Sequence, residues 1–178
     1  MKTISTEQKV WTILEIISVS TEYLKSRGIE GARLNAELLL AHALGYKRID
    51  LYTNFDEALD ELEREKYKAL LRRRAAREPL QYILGESEFM GLRLHVDRRV
   101  LIPRPETEVL VEKTIELCKS YGEGGEAIKV LDIGTGCGNI AVTVAKSVPS
   151  AVVTAIDISA EALEVAMHNA ELLESLSV

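Results

Sequence analysis

The stretch that decides the fold is Lys129-Val-Leu-Asp-Ile-Gly-Thr-Gly-Cys-Gly-Asn139, in which a short apolar run meets three alternating glycines. A helical pattern follows at once, from about Asn139 to Ser147. Glycines suit such a turn because they accept positive φ and let another molecule approach the backbone. The helix start offers unpaired N–H groups to an anionic group. The stretch therefore predicts a buried parallel strand, a ligand-binding turn and a helix.

The same alternation continues on the C-terminal side of this stretch. The strand itself covers Ile128–Ile133, a second apolar run covers Ala151–Ile156, and a helical pattern runs from about Ala160 to Leu173. The order β-α-β-α is typical of the start of a doubly wound parallel sheet. Residues 105–178 are thus predicted to form an α/β unit.

The chain before residue 79 has a helical texture. Apolar residues recur at helical spacing in several segments, which predict helices at about Gln8–Arg27 and Arg33–Leu44, a turn at Arg48–Tyr52, and a long helix capped by Asp56 and reaching Arg77. Short links between the segments predict a small helical bundle over residues 1–78.

Residues 79–104 join the two parts. The dipeptide Met90-Gly91 lies between two alternating apolar runs, which predicts a β-hairpin with a two-residue turn. Two prolines then flank Arg104, and they favour an extended backbone that holds the guanidinium in a defined direction. The segment is also interpretable as a rigid linker between domains.

Composition excludes several classes of protein. The longest apolar runs are far shorter than the roughly 20 residues that a membrane helix needs, and the N-terminus lacks an apolar signal core, so we expect a cytoplasmic protein without a membrane partner. Cys118 and Cys137 are too few for a disulfide framework or a cysteine metal site, and we expect no metal. A net charge of −6 argues against direct nucleic-acid binding. The basic stretch 64–77 is either a contact for ribosomal RNA or an acidic protein, or a solvated helix face.

The spacing of the glycines restricts the ligand. A dinucleotide turn needs Gly-x-Gly-x-x-Gly, but Gly138 comes one residue too early, and the chain has no Gly-Lys-Ser/Thr phosphate loop. The pattern Asp-x-Gly-x-Gly-x-Gly instead resembles the S-adenosylmethionine motif of Rossmann-like methyltransferases. Asp157 ends the second strand, where a carboxylate can accept both ribose hydroxyls. The alternative is that Asp157 caps the following helix.

Longer motifs narrow the resemblance. Four segments are similar to the HemK/PrmC family: Asn35-Ala-Glu-Leu-Leu-Leu-Ala-His-Ala-Leu-Gly45, Arg77-Glu-Pro-Leu-Gln-Tyr-Ile-Leu-Gly85, Phe89-Met-Gly-Leu92 and Val100-Leu-Ile-Pro-Arg-Pro-Glu-Thr-Glu108. The resemblance implies methylation of the glutamine N5 atom in the Gly-Gly-Gln motif of peptide chain release factors, for translation termination. It also implies that residues 1–78 recognise the release factor and that residues 105–178 are part of a Rossmann-like methyltransferase domain.

The resemblance also assigns site residues. The cofactor site is implied to be lined by Gly134, Thr135, Gly136, Cys137, Gly138 and Asp157, with Phe89 and Arg104 at its edge. The family's catalytic Asn-Pro-Pro-Tyr does not occur in these 178 residues, so no catalytic residue is assigned.

The missing motif leads us to expect a fragment of a longer protein, with weak or no S-adenosylmethionine binding and no methyl transfer by this chain alone. One alternative is a non-catalytic module that binds release factors and retains a vestigial cofactor half-site. Another is a methyltransferase of the same fold that acts on another protein or on nucleic acid.

Overall fold

The computed structural model describes residues 10–122 and 127–174. Contacts divide the chain into two compact units, Met1–Leu84 and Gly85–Val178. Within the described residues, no helix combines the length and the hydrophobicity that crossing a bilayer requires.

The first unit is helical, as its apolar spacing predicts. It contains α1 (Ile13–Ser26), α2 (Ala32–Leu44), α3 (Asp50–Thr53), α4 (Glu61–Ala75) and α5 (Leu80–Leu84). Its core is formed mainly by aliphatic side chains of these helices: Ile13, Ile16, Ile17, Leu39, Leu40, Ala41, Leu51, Leu59, Tyr67 and Ile83.

Two predicted helix starts are wrong, for one shared reason. Helix α1 begins at Ile13, after a capping box of Thr12 and Glu15, although the sequence pattern extended back towards Gln8. Helix α4 is capped by Asp60 with Glu63, four residues after the predicted cap. A backbone bridge joins Thr12 to Ala58, so the residues before each helix are extended and paired with each other. That pairing lies far apart in sequence, where helical periodicity gives no sign of it.

A buried carboxylate organises one side of α2. Glu37 is only 1% exposed, and its oxygens accept hydrogen bonds from Arg33 Nε at 2.9 Å, Arg48 Nε at 2.7 Å and the Tyr52 hydroxyl at 2.7 Å. Burial by itself raises the pKa of Glu37, but the bonds from Tyr52, Arg33 and Arg48 outweigh it and hold the pKa below the ordinary value. The carboxylate therefore stays ionised and ties α3 to α2.

The second unit combines a hairpin with an α/β layer. Its elements are β1 (Glu86–Phe89), β2 (Leu92–His95), α6 (Glu106–Gly122), β3 (Ile128–Ile133), α7 (Asn139–Ser147), β4 (Ala151–Ile156) and α8 (Ala160–Leu172). The predicted hairpin is confirmed, with Phe89 paired to Leu92 across Met90 and Gly91. Both turn residues have positive φ, +47° and +74°, as a two-residue turn between twisted strands requires.

Strands β3 and β4 pair in parallel, from Ile128 beside Ala151 to Ile133 beside Ile156. The order β3-α7-β4-α8 confirms the predicted α/β arrangement, and three of the four elements keep their predicted bounds. Because the strands are in register, their carboxyl ends lie side by side. Residues that follow β3 and β4 therefore meet at one edge of the sheet.

One face of this sheet is apolar and exposed. Alternate positions of each strand contribute to it: Leu131, Ile133, Val152 and Ile156 are 45–74% exposed. The opposite face is more buried, and α7 and α6 contact the strands. Parallel sheets are usually covered on both faces, so this half-covered sheet resembles only part of such a fold.

Candidate functional site

The turn after β3 uses its three glycines for two different purposes. All three have positive φ: +78° at Gly134, +55° at Gly136 and +82° at Gly138. A Cβ atom added at Gly134 or Gly136 would meet no other atom within 4 Å, whereas one at Gly138 would lie 3.2 Å from the Ala166 Cβ. The first two glycines border open space, and the third permits the close approach of α8.

Backbone hydrogen bonds fix the shape of the turn. The N–H groups of Gly134 and Thr135 both donate to the Ile156 carbonyl, at 2.8 and 3.0 Å. The Thr135 hydroxyl donates to Asp132 Oδ2 at 2.7 Å, and both side chains are buried. Asp132 and Thr135 thus hold the turn against the sheet from the inside.

Asp157 lies beside the turn, at the end of β4. Its Oδ2 atom accepts a hydrogen bond from Gly136 N at 2.8 Å, and its Oδ1 atom accepts one from Ser159 N at 3.0 Å. Ser159, not Asp157, caps α8 through a hydrogen bond from Ala162 N, so the predicted alternative for Asp157 is wrong. Each carboxylate oxygen keeps a second lone pair, which is enough to accept two hydroxyl groups of a ligand.

The same hydrogen bonds favour the ionised form of Asp157. The donors at Ser159 and then Gly136 hold its pKa below the ordinary value of 3.8, against a smaller opposing effect of burial. The carboxylate is therefore ionised throughout the neutral range. It also carries no counter-ion among the described residues.

A pH titration tests this assignment. Because the folded pKa is lowered, the stabilisation of the turn by Asp157 is present above the unfolded pKa and is lost as the pH falls through the folded one. We expect the ¹³C signal of the Asp157 carboxyl to titrate with a midpoint below 3.8, and the Gly136 N–H signal to move with it. A midpoint at or above that value would show that the two bonds do not form in solution.

Cys137 and Gly138 complete the turn from the buried side. The Cys137 side chain is 1% exposed, and burial raises the pKa of its thiol. The thiol makes only a weak contact with Asn139 Oδ1, at 3.8 Å. Cys137 is therefore a packing residue of the turn and has the properties of an inert thiol.

Asn169 is a site residue that the sequence analysis missed. This side chain of α8 is fully buried and bonds to the carbonyl of Cys137 and to the backbone of His95. One signal was available: Asn169 continues the helical spacing of the buried residues Ala162, Val165 and Ala166. An amide at a core position of a helix needs polar partners, and that requirement identifies it as a residue of interest.

The two residues predicted at the edge of the site have different surroundings. Phe89 is 1% exposed and belongs to the core, and the hairpin that carries it is joined to the turn through Asn169. Arg104 is exposed, and its guanidinium pairs with no carboxylate in the described part of the chain. The structure thus brings together the glycine turn and Asp157, and it leaves Arg104 at the surface. Among the described residues, no cluster of His, Cys, Asp or Glu is arranged to hold a metal ion.

Comparisons with known proteins agree with this geometry. The family profile described as the PrmC N-terminal domain matches residues 15–85, and one described as a methyltransferase domain matches residues 125–176. The first profile matches most of the first unit, and the second matches the part of the second unit that contains β3, α7, β4 and α8.

Curated relatives carry one name. The release factor glutamine methyltransferase of Rhodopirellula baltica is 44% identical over 164 residues, which are 92% of this chain and 55% of the relative. The protein of that name from Chlorobaculum tepidum is 43% identical over 93% of this chain and 56% of its own length. The one from Geobacter sulfurreducens is 45% identical over 92% and 55%. The chain spans about half the length of the curated relatives it matches.

Both profiles and the relatives point to the family that the sequence motifs predicted. The profile matches and the relatives confirm the predicted resemblance to the HemK/PrmC family.

Proposed function

We propose that the protein to which this chain belongs transfers a methyl group from S-adenosylmethionine to the glutamine side chain of the Gly-Gly-Gln motif in peptide chain release factors. The observation that carries the proposal is the similarity to release factor glutamine methyltransferases over more than nine tenths of the chain. We further propose that the activity serves translation termination in the cytoplasm, where its release-factor substrate would act.

The glycine turn and Asp157 fit the adenosyl cofactor. S-adenosylmethionine supplies an electrophilic methyl group on a sulfonium, and it has no pyrophosphate for a helix N-terminus to bind. The open space at Gly134 and Gly136 leaves room for the ligand against the backbone. The ionised Asp157 has unused lone pairs directed by its bonds to Gly136 and Ser159, and it would accept the two ribose hydroxyls. Thr135, Cys137 and Gly138 would hold the turn in shape from behind.

The chemistry requires little more of these residues than positioning. Methyl transfer to an amide nitrogen depends on holding the acceptor in line with the methyl group, and such orientation can supply a large part of the rate enhancement. We assign to residues 105–178 the binding of the cofactor and to residues 1–78 the recognition of the release factor, with residues 79–104 between them. Phe89 and Arg104 are the further candidates at the edge of the site.

A chimaera tests the proposal directly. The matched part of the Rhodopirellula baltica relative would be replaced by this chain, and the product incubated with a release factor and S-adenosylmethionine. We expect mass spectrometry to show one added methyl group on the glutamine of Gly-Gly-Gln, and none with the 178-residue chain alone.

A pair of variants tests the cofactor site, and the outcome of the chimaera assay distinguishes the candidate functions. The variant Asp157→Asn should lower the affinity for S-adenosylmethionine at least tenfold, about 1.4 kcal/mol, while the exposed Glu161→Gln in the same helix start should not change it. Release-factor binding without methylation by a folded chimaera would favour a binding module. Methylation of another protein or of RNA alone would favour a different acceptor.

A further inference from the structure

The side-chain amide of Asn169 bridges two backbone segments that are distant in sequence. Its Nδ2 atom donates to the Cys137 carbonyl at 2.8 Å and to the His95 carbonyl at 2.9 Å, and its Oδ1 atom accepts from His95 N at 2.7 Å. The residue is 0% exposed. Both of its donor hydrogens are therefore used on carbonyl groups, and its oxygen is used on an N–H group.

The bonds to His95 complete the edge of the hairpin. His95 lies opposite Glu86 in the register of β1 and β2, and Val96 N donates to the Gly85 carbonyl at the adjacent position. The N–H and C=O of His95 both point away from β1, towards Asn169, as those of a residue at a non-hydrogen-bonded position must. The Asn169 side chain thus satisfies the backbone N–H and C=O of His95, as a third strand paired to β2 would do.

The bond to Cys137 acts on the glycine turn. Cys137 lies between Gly136, whose N–H is held by Asp157, and Gly138, whose carbonyl accepts from Val142 N in the first turn of α7. The turn is consequently held at two nearby peptide groups, those before Gly136 and after Cys137, by side chains that follow β4. Asp157 fixes its open side, and Asn169 fixes its buried side.

We propose that Asn169 is a positioning residue for the cofactor site: it holds the Gly136–Gly138 backbone in its binding conformation and couples that backbone to the β1–β2 hairpin. The inference about binding rests on the proposed function, whereas the inference about the turn does not. Asn169 lies on the buried side of the turn, so it acts through Cys137 and does not touch the ligand.

An ordinary packing role predicts something different. A residue that only fills the core would destabilise the whole second unit when changed, as Val165→Ala is expected to do, because Val165 is also 0% exposed and lies on the same helix. If Asn169 is a positioning residue, its substitution would increase the mobility of only the backbone segments to which its amide is hydrogen-bonded. The chemistry of the substitution also matters. An aspartate keeps the acceptor for His95 N, but it sets an oxygen against the carbonyl groups of Cys137 and His95.

Residue-resolved hydrogen exchange on the 178-residue chain distinguishes the two roles. In Asn169→Asp we expect at least tenfold faster exchange at Gly136 and Gly138 N–H, with His95 N–H still protected. In Asn169→Ala, which introduces no charge, we expect faster exchange at all three. The paired amides of β3 and β4 should change little in either variant, and Val165→Ala should raise exchange across the unit without singling out the turn.

The outcomes that overturn the proposal are specific. Uniform loss of protection in both Asn169 variants, matching that of Val165→Ala, would reduce Asn169 to a core residue. Unchanged exchange at Gly136 and Gly138 would show that the bond to Cys137 does not hold the turn. If only one variant folds, its own pattern of exchange decides.

Titration with S-adenosylmethionine in the same samples tests the link to binding. Because this chain alone is expected to bind S-adenosylmethionine weakly at most, the ligand is added in large excess. Under these conditions we expect the signals of Gly134 and Gly136 to shift in the parent chain and to shift at least tenfold less per added ligand in Asn169→Asp. Equal shifts in parent and variant would overturn the positioning role. A parent chain without shifts would count against cofactor binding by this chain, and the exchange result would still decide whether Asn169 holds the turn.

Discussion

Alanine at Gly138 is expected to lower the free energy of unfolding of the second unit by about 3 kcal/mol, whereas alanine at Gly136 lowers it by only about 1 kcal/mol. Both glycines have positive φ, +82° and +55°, which an alanine adopts only with strain. The added Cβ at Gly138 would also lie 3.2 Å from Ala166 Cβ and 3.3 Å from Ala166 Cα, so α8 itself would have to move. At Gly136 the added methyl group meets only open space.

Cofactor affinity, unlike stability, is expected to be lowered by the change at Gly136. The methyl group of Gly136→Ala would occupy the open space on the ligand side of the turn, so the chimaera carrying it should bind S-adenosylmethionine at least tenfold more weakly while remaining folded. Stability is best followed by hydrogen exchange of β3 and β4 during urea unfolding. The fluorescence of Trp11, the only tryptophan, reports the first unit and should be unchanged. Equal stabilities of Gly136→Ala and Gly138→Ala would show that α8 does not pack closely enough against Gly138 to exclude a Cβ atom.

Alanine at Glu37 is expected to destabilise the first unit by about 3 kcal/mol, because removing one partner of a buried ion pair typically costs 3–5 kcal/mol. The lower end applies here because Arg33 and Arg48 stay 64% and 49% exposed and can be hydrated after the change. The variant also leaves a cavity beside α2 and frees the Tyr52 hydroxyl. Urea unfolding followed by Trp11 fluorescence measures the effect.

The matched control is Glu22→Ala on α1. Glu22 is also a helix glutamate paired with a cation, Lys25, but the two side chains are 71% and 60% exposed, so the change should cost less than about 0.5 kcal/mol. The pH dependence gives a second check. The lowered pKa of Glu37 means that its stabilisation is present above the unfolded value of about 4.5 and is lost as the pH falls through the folded one. A Glu37 variant no less stable than the control would contradict the arrangement.

Local patterns in the sequence were enough for much of the α/β unit. The strand β3, the helix α7 and the strand β4 have the bounds that the sequence predicted, because apolar runs, alternating glycines and helical spacing all act within a few residues. The hairpin turn at Met90 and Gly91 is another such case. The family resemblance, carried by contiguous motifs, was confirmed by the comparisons with known proteins.

In the first unit, contacts between residues distant in sequence determined features that apolar spacing did not predict. The bridge between Thr12 and Ala58, which apolar spacing does not show, extends the residues before α1 and α4. A local signal for both starts was available in the capping boxes of Thr12 with Glu15 and Asp60 with Glu63, but apolar spacing does not include it. The buried Glu37 took its partners from three positions along the chain, a set that helical spacing alone does not identify.

The glycine turn shows most clearly which properties the sequence predicts and which depend on the tertiary structure. Its sequence predicted a strand–turn–helix in which the glycines accept positive φ, because glycine content and spacing constrain the backbone directly. The same spacing led to the prediction of an S-adenosylmethionine ligand. Only the tertiary structure separated the two open glycines from Gly138, which is closed by Ala166, and only it revealed that Asn169 ties the turn to His95. The physical reason is that backbone conformation is set by neighbours in sequence, whereas open space and hydrogen-bond partners are set by neighbours in space.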